Sequence, residues 1–270
     1  MSTAHTHTTA RPVGQLIREW RMRRRMSQLD FATEAEISAR HLSFVETGRA
    51  RSSREMIMRL TELLDVPLRE RNQLLIAAGY APIFAERSLD DPALSAARDA
   101  VDAVLKGHEP YPALAIDRHW NLLAANRMVM PLLAGAAAEL LRPPVNVLRL
   151  SLHPEGLAPP NLNAAQWRAH LFARLRRQIE MSADVVLIDL LRELSGYPLA
   201  GNHDAADEAS INAVLVPLRM STPAGVLSFI STTTVFGTPM DITLSELAVE
   251  AFFPADAATA DALRILATDV

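Results

Sequence analysis

The sequence predicts two domains of different class, an all-α head of five short helices and a larger α+β body. Three observations carry this. Between Val13 and Ala78, five segments of helical apolar spacing follow one another with connections of a few residues. Tyr80–Pro92 then loses the periodicity and gathers Pro82, Pro92 and the pair Asp90-Asp91, which marks a boundary. Beyond it, short apolar runs alternate with helical stretches. The chain has 270 residues, 49% of them hydrophobic, enough for two packed cores and too apolar for a mostly disordered protein. The expected organisation is a disordered 1–12, a helical domain over 13–79, a linker and connecting helix over 80–106, and the body over 107–270.

The head helices are justified one by one. Val13, Leu16, Ile17 and Trp20 recur at helical spacing. Ser27 caps a second helix, Gln28–Glu34, and Ser38 caps a third that ends at Gly48. Ser53 caps a fourth, with Met56, Ile57, Leu60, Leu63 and Leu64 inward, and Asp65-Val66-Pro67 breaks it. A fifth runs from Leu68 to Ala78 and stops at Gly79.

Composition narrows the chemistry. There are no cysteines, so disulfides, thiolate metal sites and cysteine nucleophiles are excluded, and a cytoplasmic location is expected. Apolar runs such as Val185–Ile188 are far too short to span a membrane, and Met1–Ala10 has no apolar core for a secretory signal. Arg11–Arg71 carries 13 arginines against nine Asp/Glu, while the remainder carries 14 basic against 22 acidic residues. A basic head on an acidic body points to an anionic partner for the head.

The stretch Ser27–Gly48 supplies the reason. Two short helices meet at Ala35-Glu36-Ile37, with Phe31, Ala32, Ile37, Leu42 and Val45 where they must touch. The second leaves Ser38, Ala39, Arg40, His41 and Ser43 outward at its N-terminal end, where a recognition helix meets base edges in the major groove. Gln28 heads the first helix within reach of a phosphate, and Arg49, Arg51 and Arg54 follow as candidates for the flanking backbone. Arg23-Arg24-Arg25 reads equally as solvated surface or phosphate contact, and Glu46 as the internal partner of an arginine. The pattern Ser-Gln-x-x-Phe-Ala-x-x-Ala-x-Ile-Ser, continued by Leu-Ser-x-x-Glu-x-Gly-Arg, resembles the Xre/Cro-type helix-turn-helix. Two positions depart from it. Glu36 stands where many members have Gly, in a turn that often needs positive φ. Ser52 stands where many have Pro.

The body opens with Ala113–Ile116 and Asn121–Ala125 around Asp117-Arg118-His119-Trp120, a hairpin. Asn126 caps a helix through Leu133, and Val147–Leu152 fits helix or strand. Asn163–Glu180 is helical from Trp167, Leu171, Phe172 and Leu175, and Val185–Leu194 is a further helix. Val214–Met220 and Leu227–Val235 read as strands joined by Thr222-Pro223-Ala224-Gly225. Leu244–Phe253 is open between helix and strand, and Asp256 caps a last helix. No nucleophile elbow, Gly-rich phosphate loop or His-Glu-x-x-His is present, and His108, His119, His153, His170 and His203 lack metal-ligand spacing. No enzyme, metal or required cofactor is expected.

The order Gly79-Tyr80-Ala81-Pro82, Pro110-Tyr111-Pro112, Asp117-Arg118-His119-Trp120-Asn121, Ala125-Asn126-Arg127, Leu152-His153-Pro154-Glu155-Gly156 and Phe236-Gly237-Thr238-Pro239, ending in Phe252-Phe253-Pro254-Ala255-Asp256, resembles the MmyB-like bacterial regulators. The resemblance implies a PAS-like body with a five-stranded antiparallel sheet, which makes Leu244–Phe253 its last strand. It also implies a homodimer, double-stranded DNA as partner, and a pocket for a fatty-acid-like amphipathic ligand. Apolar walls then come from Trp120, Trp167, Phe172 and Phe229, and a polar anchor from among Arg118, Asn126, Arg127, Arg149 and His153. Two other readings stand beside this sensor: the body as an enzyme, or as a dimerisation module with a filled core.

Overall fold

The computed structural model describes residues 11–199, 216–237 and 239–269. Of the expected disordered 1–12, Met1–Ala10 lies outside them, as do Val214 and His203, whereas Arg11 is described and pairs with Glu19 at 2.9 Å. The chain divides into two compact units, one comprising residues up to Glu86 with Met240–Ile242, the other Arg87–Pro239 with Thr243 onward.

The first unit holds α1 (Val13–Arg23), α2 (Gln28–Glu34), α3 (Ala39–Glu46), α4 (Arg54–Leu63) and α5 (Leu68–Ala77). Three serine caps act as expected: Ser27 Oγ accepts from Asp30 N, Ser38 Oγ from His41 N and Ser53 Oγ from Met56 N. Gly48 and Gly79 take the positive φ that ends helices α3 and α5. Ile17, Phe31, Leu42, Ile57, Leu60 and Leu75 are fully enclosed in the shared core. At Gly14 of α1, an added Cβ would stand 2.1 Å from Val45 O and 2.8 Å from Glu46 O, so α1 packs directly on the backbone of α3. Glu36 has φ 51°, the left-handed geometry expected for the turn between α2 and α3, and its carboxylate pairs with Arg59 at 2.7 Å. The other departure also registers. Ser52 is buried and its Oγ finds no hydrogen-bond partner among the described residues. A buried hydroxyl left unpaired costs about 1–3 kcal/mol, so Ser52→Ala is expected to stabilise the protein by about 1 kcal/mol. A rise of a few degrees in Tm by calorimetry checks it.

The second unit contains α6 (Ser95–Gly107), β1 (Ala113–Ile116), β2 (Leu122–Ala125), α7 (Val147–Leu152), α8 (Ala164–Ser182) and α9 (Val185–Ser195). It continues with β3 (Leu218–Thr222), β4 (Gly225–Val235), the turn α10 (Ile242–Ser245, whose first residue belongs to the first unit), β5 (Ala248–Pro254) and α11 (Ala257–Asp269). The strands form one antiparallel sheet in the order β2-β1-β5-β4-β3, the PAS-like arrangement. Strand β1 is buried throughout, and its alternation explains why. Leu114 and Ile116 face one core with Trp120, Leu148, Trp167, Leu171 and Leu187. Ala113 and Ala115 face another, formed with Val101 and Leu105 of α6 and with Leu247 and Val249. The helix read as a connector is therefore, in the structure, a layer of the second unit. Against β4, Leu263 of α11 meets Leu227, Phe229 and Met128.

Several local expectations change. Val147–Leu152 is helical because Asn146 Oδ1 accepts from Arg149 N. The last strand starts only at Ala248, after α10. Arg127–Leu133 is a 3-10 helix containing Pro131, which cannot donate to an α-helical ladder. Asn126 does not cap it with its side chain. Its Oδ1 accepts from Ala113 N at 3.1 Å, and its Nδ2 donates to Leu105 O at 3.0 Å and Tyr111 O at 2.8 Å.

Candidate functional site

In the first unit, α2 and α3 set the outward residues. Ser38 and Arg40 are exposed, and Ala39, His41 and Ser43 half-buried, around the N-terminal end of α3. The Arg40 guanidinium lies 5.3 Å from the Phe44 ring centre. The inner side of α3 is held by a buried ion pair. Arg21 Nε donates to Glu46 Oε1 at 2.7 Å and its Nη2 to Oε2 at 3.0 Å, the internal partnership expected of Glu46. Gln28 Nε2 donates to Glu46 Oε2 at 2.7 Å, so one of its two N–H groups is committed inside the fold. Arg49, Arg51 and Arg54 are exposed and make no ion pair among the described residues. The Arg23-Arg24-Arg25 run is partly structural: Arg24 donates to Leu64 O and Asp65 O, both at 2.7 Å, and Arg23 lies over the Trp20 ring at 4.6 Å. Burial lowers the pKa of Arg23, which nonetheless remains a cation.

The second unit holds a cavity of about 100 Å3, partly open to solvent. Its walls are apolar, with Leu114, Trp120, Leu148, Trp167, Leu171, Phe229 and Phe252 prominent. Three of the four wall residues expected from sequence are among them. Trp120, at φ 67°, directs its Nε1 away to Gln178 Oε1 at 2.8 Å. Trp167 donates to Ser151 Oγ at 3.0 Å and is stacked by His170, whose pKa is lowered by burial and then by Arg174. Phe229 is fully buried, with its ring edge-on to Phe252. Phe172 belongs to the same core but not to the cavity; it lies beneath Arg168 and Arg176.

The five expected anchors all lie outside the cavity lining. Arg118 pairs with Asp184 at 2.9 Å and with Glu246 at 3.2 Å. Burial alone would raise the Asp184 carboxyl, yet the His119 hydrogen bond, the Val186 N–H and Arg118 together hold it below the usual carboxylate value. Arg149 grips Glu193 through two bonds of 2.8 and 2.7 Å, tying α7 to α9. Tyr197 donates to the same carboxylate, and burial together with that acceptor pushes its hydroxyl up to about 12. His153 Nδ1 accepts from Glu155 N, and Arg127 pairs with Glu109 at the surface. Asn126 is spent on backbone, as above.

The polar groups that do line the cavity are Ser151, Arg174 and Glu250. Two of them carried a readable signal. Arg174 lies three residues after Leu171 and seven after Trp167, on the same face of α8. Glu250 shares one face of β5 with Ala248 and Phe252, which pack against the core that lines the cavity. Among the described residues no group of His, Asp and Glu could hold a metal ion, and no helix is long and apolar enough to cross a membrane.

A helix-turn-helix unit joined to a PAS-like unit with an apolar cavity defines a DNA-binding protein with a ligand-binding domain. Residues 12–74 match the helix-turn-helix domain model, and residues 97–266 match the MmyB-like transcription regulator ligand binding domain. The second match spans more than half of the chain, which thus belongs to the MmyB-like transcription regulators. No curated protein matches it.

Proposed function

We propose that this regulator senses an amphipathic molecule of the fatty-acid class, a long apolar chain with one small polar head, and reads DNA as a homodimer. The observation that carries the reading is the apolar cavity with its three polar groups gathered among hydrophobic walls. On this reading the body binds without turning its ligand over, requires no cofactor, and acts in the bacterial cytoplasm. Two heads place two α3 helices in successive major grooves, which one head cannot do. The ligand switches the protein only by binding one dimer arrangement better than another.

Native mass spectrometry of the purified full-length protein, followed by its denatured spectrum, tests the reading. A dimer releasing an unmodified long-chain molecule is the expected result. A monomer refutes the homodimer, and a chemically altered chain favours an enzyme. A single added ligand at about 100 times its Kd is expected to stabilise the protein by about 2.7 kcal/mol, seen as a raised Tm. An unchanged Tm across acyl chains of several lengths favours the dimerisation module.

For the head, Arg49, Arg51 and Arg54 are assigned to phosphates, and Ser38, Ala39, Arg40, His41 and Ser43 to the groove, with Gln28 at its border. Substituting Arg51 by Ala is expected to weaken binding to all sequences alike and to reduce the log–log salt slope by about one. Arg40→Ala is expected instead to relax discrimination between operators. A salt titration of both variants on specific and scrambled duplexes separates the two roles. Equal effects of both variants on both duplexes would refute the assignment.

A further inference from the structure

The cavity already contains its own anion. Glu250 of β5 stands opposite Leu114 of β1 and Thr233 of β4, and is 3% exposed. Both its oxygens are engaged by Arg174: Nη1 donates to Oε2 at 3.2 Å, and Nη2 donates to Oε1. Thr233 Oγ1 donates to Oε1 at 2.7 Å and accepts from Arg174 Nη2 at 2.9 Å. The guanidinium lies 4.8 Å from the centre of the Trp120 ring, which holds it in place. The one remaining polar side chain of the lining, Ser151, is uncharged. The lining therefore carries one positive and one negative charge, already paired.

This arrangement discriminates between head groups. An entering carboxylate would bring a second anion to a single guanidinium. It would either displace Glu250, stranding that carboxylate among apolar side chains, or remain without a counter-ion itself. Either outcome leaves a buried charge uncompensated. An uncharged head meets no such cost. Arg174 Nε and the second hydrogen of Nη1 make no hydrogen bond among the described residues, nor does the hydroxyl hydrogen of Ser151. These are donors suited to an acceptor oxygen. We infer that the cavity selects a long apolar chain whose head is an uncharged acceptor, such as a hydroxyl, an amide or an acid still carrying its proton. The inference rests on the ligand-site reading above and specifies the charge of the ligand.

Decanol, decanamide and decanoic acid, each titrated into the full-length protein, share one chain and differ in the head. Binding is followed by the fluorescence of Trp120 and Trp167, which line the cavity. At pH 8, decanol and decanamide are expected to bind about tenfold or more tightly than decanoate. Between pH 8 and pH 6, decanoate affinity is expected to rise about tenfold per pH unit, because its complex takes up one proton. The neutral ligands should change little. In Glu250→Gln, decanoate should gain about tenfold at pH 8 and lose its pH slope. Should that variant fail to fold, the wild-type pH series decides alone. Decanoate binding as tightly as decanol at pH 8, without a pH slope, overturns the inference and leaves the ligand site standing. Failure of all three to bind overturns the ligand-site reading and the inference with it.

Discussion

Gly14→Ala is expected to destabilise the head by about 3 kcal/mol or more, and to abolish DNA binding near physiological temperature. The sign is what makes the result informative. In an ordinary helix interior, alanine is better than glycine by about 1 kcal/mol. Here the added methyl would enter the backbone of α3, 2.1 Å from Val45 O. Backbone cannot swing aside as a flexible side chain can, so α1 and α3 must separate. Their separation would also pull Arg21 from Glu46, since one residue lies on each helix. Gly107→Ala is the control. Its Cβ would meet nothing within 4 Å at the end of α6, and little change or slight stabilisation is expected. Urea unfolding of both variants, with binding to an operator fragment, tests the difference. Stabilisation by Gly14→Ala would refute the close approach of α1 to α3.

Asn126→Ala is expected to cost the second unit about 2–4 kcal/mol. The residue is 6% exposed, and its side chain makes three bonds to backbone, at Ala113, Leu105 and Tyr111. Alanine would leave the Ala113 N–H without that acceptor where the residue has no exposed surface. It would also untie the end of α6 from the start of β1. Asn126→Asp should be at least as damaging, because a carboxylate cannot donate to Leu105 O and Tyr111 O and repels both. Calorimetry of the two variants checks this. If Asn126→Ala kept wild-type stability but weakened a bound acyl ligand, Asn126 would return as a ligand contact.

These two residues mark the limits of sequence reading from opposite sides. Helix ends in the head were legible because a cap is local: Ser27, Ser38 and Ser53 each accept from an N–H three residues away. The positive φ of Glu36 was legible only through the resemblance, which puts Gly at that turn, and the arginine partner of Glu46 through the need of an internal acid for a cation. Asn126 was misread because its partners lie 13 to 21 residues away and no periodicity points to them. Arg118, Arg127 and Arg149 each pair with a carboxylate, which a sequence does not show because it displays the cation but not the partner that claims it.

The two classes of domain, the helix-turn-helix with its outward residues, the initial hairpin of the sheet and most of the aromatic wall are legible along the chain. The first three follow from short-range spacing, capping and alternation, and the wall from the resemblance to the MmyB-like regulators. The charges that the cavity contains come together only through packing. Arg174 and Glu250 are 76 residues apart, on a helix and a strand whose inward faces meet only once the sheet has closed in the order β2-β1-β5-β4-β3. An ion pair at that separation leaves no pattern along the chain, because its geometry is created by packing rather than by the sequence interval.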